Sequence, residues 1–213
     1  MSRRQLLAAT VCLGLAAAPV AEALAWEDGV FSLKQRWEHV TTAMEATRRE
    51  DALSALAEES AALAEAHPEA SEVLVWRGII LASLAREAGG LSALGAAKAA
   101  RRVLERAVAL DPAGHRGSAY VTLGALYDRA PGWPVAFGDE ETAEAMFRKA
   151  LAIRPEGIDV NTYYAAFLEA EGRESEALAH ARRAVAGQAR AGREASDEAL
   201  RDRARAMVAR LQD

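Results

Sequence analysis

The chain has 213 residues, of which 51% are hydrophobic, 27% charged and only 6% aromatic. A formal charge of −5 argues against nucleic-acid binding, because neutralising phosphates needs a basic surface. The apolar fraction excludes a disordered chain, 15 glycines and 6 prolines are too few for a low-complexity one, and 52 alanines point to an all-α protein.

The first expected element is an export signal. Arg3-Arg4 gives a basic start, an Ala/Leu-rich run extends to Ala18, and Pro19 is followed by Ala23-Leu24-Ala25. That order reads as a cleavable signal peptide over residues 1–25, with Trp26 as the first mature residue. An apolar run of about a dozen residues is too short to cross a bilayer of about 30 Å as a helix, so no membrane span is expected after cleavage. The expected location is periplasmic or secreted, by the general secretory route; Ser-Arg-Arg-x-Leu-Leu leaves a twin-arginine route open. Thr10-Val11 precede the only cysteine, Cys12, where a lipoprotein site needs small residues. The mature chain then holds no disulfide, thiolate metal site or cysteine nucleophile.

Apolar spacing predicts helices near 32–48, 52–66, 71–88, 93–110, 116–129, 140–153, 159–171, 174–187 and 194–211, and no strands. Asp51, Ser71 and Asp139 are expected N-caps, with Glu72, Glu140 and Glu141 in first turns.

These helices repeat. Ala107-Val108-Ala109-Leu110-Asp111-Pro112 matches Ala150-Leu151-Ala152-Ile153-Arg154-Pro155, and Ala100, Leu104 and Ala107 precede Pro112 by 12, 8 and 5 residues, as Ala143, Phe147 and Ala150 precede Pro155. A further copy reads Gly172, Ala177, Ala181, Ala184, Gly187, and a fainter one ends at Pro68. The pattern resembles the tetratricopeptide repeat, a helix–turn–helix unit of about 34 residues. Tyr120, Leu123, Gly124, Tyr127, Gly138, Ala143, Phe147, Ala150 and Pro155 fall on its signature positions. Small residues at Gly124 and Ala143 would let paired helices approach, large ones at Tyr127 and Phe147 would fill the space beside them, and the proline would stop the second helix. The resemblance implies a right-handed α-α solenoid of about four helix pairs, near 37–68, 71–112, 117–155 and 158–187. With it, residues 26–193 form the repeat domain of an exported bacterial member of the family. Residues 194–213 would form a capping helix over the last apolar face. On that helix Arg193, Asp197, Arg201 and Arg205 stand four apart and read as a solvated face with i,i+4 pairs.

Two copies are long. The second carries about ten extra residues and the third about seven. The first insertion contains Gly90-x4-Gly95, a phosphate-loop interval, but Ala96 and Ala97 replace the lysine and hydroxyl residues that would hold phosphate and metal. It reads as a longer turn with an apolar tip. The second insertion holds Pro131-Gly132-Trp133-Pro134 and Phe137-Gly138-Asp139, a shaped loop. Its aromatics either plug the space between repeats or wall a binding pocket.

No catalytic constellation is present. His39, His67, His115 and His180 have no metal-ligand spacing, and no nucleophile elbow occurs. No cofactor is implied and the protein reads as a non-enzyme. In tetratricopeptide proteins the first helix of each pair lines the concave surface, and this spacing places Thr41, Glu45, Arg48, Val75, Ile79, Ala82, Val121, Ala125, Asp128, Thr162, Ala166 and Glu169 there, with Trp133 and Phe137 at its edge. The leading expectation is an adaptor or scaffold that holds another protein or peptide segment in this groove. The rival is a small, apolar-ligand binder associated with a transport system, on a loose similarity to the tetratricopeptide subunits of periplasmic TRAP transporters. An enclosed cavity favours the second and an open groove the first.

Overall fold

Among the described residues, nine helices follow one another: α1 (Ala18–Thr42), α2 (Ala46–Ala66), α3 (Ser71–Glu87), α4 (Gly90–Leu110), α5 (Ser118–Arg129), α6 (Glu140–Ile153), α7 (Ile158–Ala170), α8 (Glu174–Ala186) and α9 (Glu194–Arg210). They belong to a computed structural model that describes residues 18–212, with side chains from Trp26 onward. The start of the expected signal segment, residues 1–17, lies outside the described residues. The architecture is the expected all-α solenoid: consecutive helices pack as pairs, and α1, α3, α5 and α7 pack successively side by side.

Helix α1 starts earlier and stops sooner than its pattern suggests. Val30, Leu33, Trp37 and Val40 bury one stripe. Then Thr41 and Thr42 turn their hydroxyls back to the carbonyls of Trp37 and Glu38, at 2.8 and 2.6 Å. Such back-bonding bends a helix, and the chain breaks at 43–45 without a glycine or proline to announce it. Asp51 consequently lies inside α2 rather than at its cap. Ser71 opens α3 but caps nothing; its hydroxyl donates to the Ala107 carbonyl at 3.1 Å, tying α3 to the end of α4. Asp139 does cap α6, accepting from the Thr142 amide at 2.8 Å.

Close approach within pairs depends on two glycines. A Cβ at Gly78 would overlap the Leu104 side chain, and one at Gly124 would sit 2.7 Å from the Phe147 ring. Phe147 and Leu104 are fully buried, and Phe147 meets Tyr164 and Phe167 at centroid distances of 5.6 and 5.8 Å. The extra residues of the second copy are helix rather than turn. They lengthen α3 and α4, which are joined only by Ala88-Gly89, and Gly95 stands inside α4. The lengthened tip carries Leu91, 87% exposed.

The two kinds of helical glycine predict opposite outcomes. Nothing lies within 4 Å of a Cβ at Gly95, so Gly95→Ala should stabilise by about 1 kcal/mol through helix propensity. Gly124→Ala should instead destabilise, because overpacking a filled core costs about 1–3 kcal/mol. Urea-unfolding midpoints moving in the same direction would contradict this packing.

Candidate functional site

The concave side of the solenoid is a cavity of about 640 Å³. Its walls are the first helices of the pairs: Trp37 and Thr41 from α1, Ile79, Ala82 and Ser83 from α3, Val121, Ala125 and Leu126 from α5, and Tyr163 from α7. The start of α4 adds Leu94 and Ala97, and α9 adds Ala199 and Leu200. Its charged groups are mostly cationic, Arg49, Arg86, Arg129, Arg193 and Arg203 against Glu87 and Asp159, and Thr41, Thr42, Ser83, Ser118, Thr122 and Ser196 add hydroxyls.

Helix α9 adds a further wall to this partly open cavity. It packs on α8 and α7 and then reaches α1, so the first and last helices meet. At this seam the Arg193 guanidinium lies 4.4 Å from the Trp37 ring centroid and 5.2 Å from that of Trp76. The two indoles meet edge to face at 5.9 Å. Trp37 Nε1 donates to Ser83 Oγ at 2.9 Å. The Ser196 amide donates to Glu38 Oε1 at 2.7 Å, and Lys34 Nζ donates to the Ala191 carbonyl at 2.9 Å. Burial, and then the neighbouring Arg190, hold the Arg193 pKa down to about 10.

Beneath the seam lies a buried ionic network. Arg154 Nη2 donates to both carboxylate oxygens of Asp159, at 2.5 and 2.7 Å, and Arg190 Nη1 approaches Asp159 from another side at 2.8 Å. Arg190 also donates through its amide and Nε to Asp197 Oδ2, at 2.8 and 2.9 Å. Burial pushes the Asp159 pKa up, but the guanidiniums of Arg190, Arg154 and Arg193 together hold it below the ordinary carboxylate range. Arg193 and Asp197 are therefore not the solvated face that their spacing suggests. Only the far end of that ladder is open, where Arg205 pairs with Glu198 and Asp202.

Of the groove residues expected from sequence, Thr41, Ile79, Ala82, Val121 and Ala125 line the cavity; Glu45 and Arg48 do not. Val75 is buried within the core. At the fourth repeat α9 covers the concave face: the Thr162 hydroxyl donates to the Leu200 carbonyl at 3.4 Å, Ala166 packs on the cluster containing Met207, and Glu169 pairs with Arg210 at 2.8 Å. Asp128 lies at the end of α5 outside the lining, 4.0 Å from Arg129, with burial raising its pKa. Sequence reasoning missed the cavity residues Trp37, Tyr163, Arg49, Arg193 and Arg203.

The aromatic loop divides its two rings. Gly138 N donates to the Pro131 carbonyl at 2.9 Å, and Asp139 N to that of Tyr127 at 3.0 Å, closing the loop at its base. Phe137 tucks inward, edge to face with Tyr127 at 5.4 Å and beneath the Arg101 guanidinium at 4.6 Å. Trp133 points outward and is 89% exposed. Val135 and Pro131 from the same loop reach the cavity, as does Leu91 from α4. Lys98 Nζ bridges these elements by donating to the Val135 carbonyl at 3.3 Å.

Among solved structures, the chain is similar to TTC0263, a thermophilic TPR protein of Thermus thermophilus, at 21% identity and a TM-score of 0.57, covering 74% of this chain and 73% of that one. The fold is that of the tetratricopeptide proteins. MamA shares this fold at 16% identity and a TM-score of 0.50, with 78% of this chain and 90% of that one covered. No protein-family profile matches the chain, and no curated protein matches it by sequence. Within the tetratricopeptide scaffold, the paired glycines and prolines sit where the sequence spacing places them, while the seam and one wall of the cavity come from α9.

The ionic network and the aromatic loop each make a measurable prediction. Asp159→Ala should lower unfolding free energy by about 3–5 kcal/mol, since it strands the buried Arg154 guanidinium and takes from Arg190 one of its two carboxylates; a loss below about 1 kcal/mol in urea titration would mean that the network contributes little. Trp133→Ala should leave the melting temperature nearly unchanged. Phe137→Ala should cost about 2 kcal/mol, below the range for a fully buried ring because the site is half-buried. Differential scanning calorimetry of the two variants distinguishes them, and equal losses would refute the division of roles.

Proposed function

We propose that the protein is an exported, non-catalytic binding protein that holds a small, largely apolar ligand in the cavity of its concave face. The observation that carries this reading is the meeting of α9 with α1 beside a partly open cavity of about 640 Å³. That volume lies within the range of small-molecule sites, about 300–1,000 Å³, and the lining surface is mainly apolar, as theirs is, with charged and hydroxyl groups set into it. An adaptor that lays an extended peptide along the groove is less well supported, because α9 already occupies the concave face of the fourth repeat. Export rests on the composition of residues 1–25: basic start, short apolar run and Ala-x-Ala site. The absence of a catalytic role rests on the lack of any nucleophile–base pairing in the sequence.

A protein partner enters as a second reading at one place. Leu91, Trp133 and Val135 are large, exposed and apolar, and Leu91 and Val135 stand at the cavity mouth. Aromatic anchors on shaped loops suit a protein contact. A ligand-holding component that docks a transport protein at its mouth joins both readings, with Trp133 as the contact.

Native mass spectrometry of the protein purified from its own cells tests the main reading. The expected result is a co-purifying small mass that is lost on denaturation and is absent from Ala82→Trp, whose indole fills the cavity. A stable complex with a second polypeptide and no small mass would overturn it in favour of the adaptor.

A further inference from the structure

The cavity is cationic in a chain that is acidic overall. Five guanidiniums and two carboxylates line it, whereas the whole chain carries −5. Pairing does not remove the excess. Arg86 has Glu87 at 3.0 Å and Arg129 has Asp128 at 4.0 Å. Asp159, the other acid in the lining, is committed to Arg154 and Arg190. Among the described residues, Arg49 makes only a bond from Nε to the Met44 carbonyl, at 2.9 Å, and Arg203 has no carboxylate within 4 Å.

Arg193 strengthens the pattern from deeper in the cavity. The residue is only 9% exposed. Its Nε donates to Ser196 Oγ at 3.1 Å and lies 3.7 Å from Glu38 Oε2, and its terminal nitrogens have no hydrogen-bond partner among the described residues. Its contact with two indole rings holds the guanidinium plane without consuming those donors. A guanidinium whose terminal donors are open to the cavity beside an apolar wall is stabilised by an anion and destabilised by a neutral group that strips its hydration.

The two chemistries occupy different elements. Arg49, Arg193 and Arg203 come from α2 and from α9 with its N-cap; Ile79, Leu94 and Val121 come from α3, α4 and α5. We propose that the cavity binds an anionic amphiphile, with a carboxylate or phosphate head among the arginines that α2 and α9 supply to the lining and an aliphatic tail along the apolar wall. This rests on the reading of the cavity as a ligand site and adds the class of ligand.

The test is isothermal titration of the purified protein with four probes below their micellar concentrations: dodecanoate, dodecyl phosphate, 1-dodecanol and dodecyltrimethylammonium. The expected result is that both anions, or one of them, bind at least about tenfold more tightly than the alcohol, and that salt weakens this preference. Whichever anion binds more tightly identifies the head group. The double variant Arg49→Gln/Arg203→Gln changes exposed or half-buried side chains and should fold. It is expected to weaken the preferred anion about tenfold and leave the alcohol unchanged. If the alcohol or the ammonium probe matches the anions, or the double variant holds its anion affinity, the proposal is overturned while the cavity remains a ligand site. If none of the four binds, or Ala82→Trp binds the alcohol as well as the parent does, the ligand-site reading fails and this inference with it.

Discussion

A guanidinium held against two indole rings decides the shape of this molecule. Arg193 belongs to the turn before α9, Trp37 to α1 and Trp76 to α3, so one contact joins the last element of the chain to the first and to the second repeat. Burying that charge is unfavourable by itself. It is tolerated because Glu38 stands beside it, the rings offer their negative faces, and Ser196 accepts from its Nε. The network of Arg154, Asp159, Arg190 and Asp197 fixes the preceding turn at a set distance from α7. Buried ion pairs of this kind contribute more to placement than to net stability. Here the thing placed is the α9 wall of the cavity.

The two departures from regular repeat length gain a common meaning from that wall. The second copy lengthens α3 and α4, and the third inserts a loop after α5. Both deliver residues to the same opening: Leu91 and Leu94 from one, Pro131 and Val135 from the other, joined by the hydrogen bond from Lys98 to the Val135 carbonyl. A solenoid of standard repeats would end at that level. The added residues deepen the cavity and give it an apolar mouth.

Much of the fold was legible because its determinants are local. Helix spacing, the Asp139 cap, the prolines, and the Gly124–Phe147 complementarity all act within one repeat, and a period of two helices exposes them in the sequence. The end of α1 was not legible, since threonine back-bonding rather than a glycine or proline breaks it. The concave lining was legible only in its middle, at Ile79, Ala82, Val121 and Ala125. Whether α9 lies beside the fourth repeat or across it depends on how far the solenoid has curved by then, a property summed over all the pairs. For the same reason an Arg/Asp ladder four residues apart looked like a solvated surface: the pattern is identical whether water or α1 faces it. Trp133 and Phe137 were likewise indistinguishable by type, and the base of the loop at Pro131 and Gly138 decides which ring turns inward.

Joining the first helix to the last also changes how the chain comes apart. An open array of repeats frays from its termini, because an end repeat has one neighbour where an inner repeat has two. In this protein both terminal helices have partners on each side. Loss of structure at either end therefore requires the α1–α9 contact to break first, so the two termini are energetically coupled across most of the sequence. Opening that contact would also remove the α9 wall of the cavity, so fraying of the termini and loss of the cavity are one event.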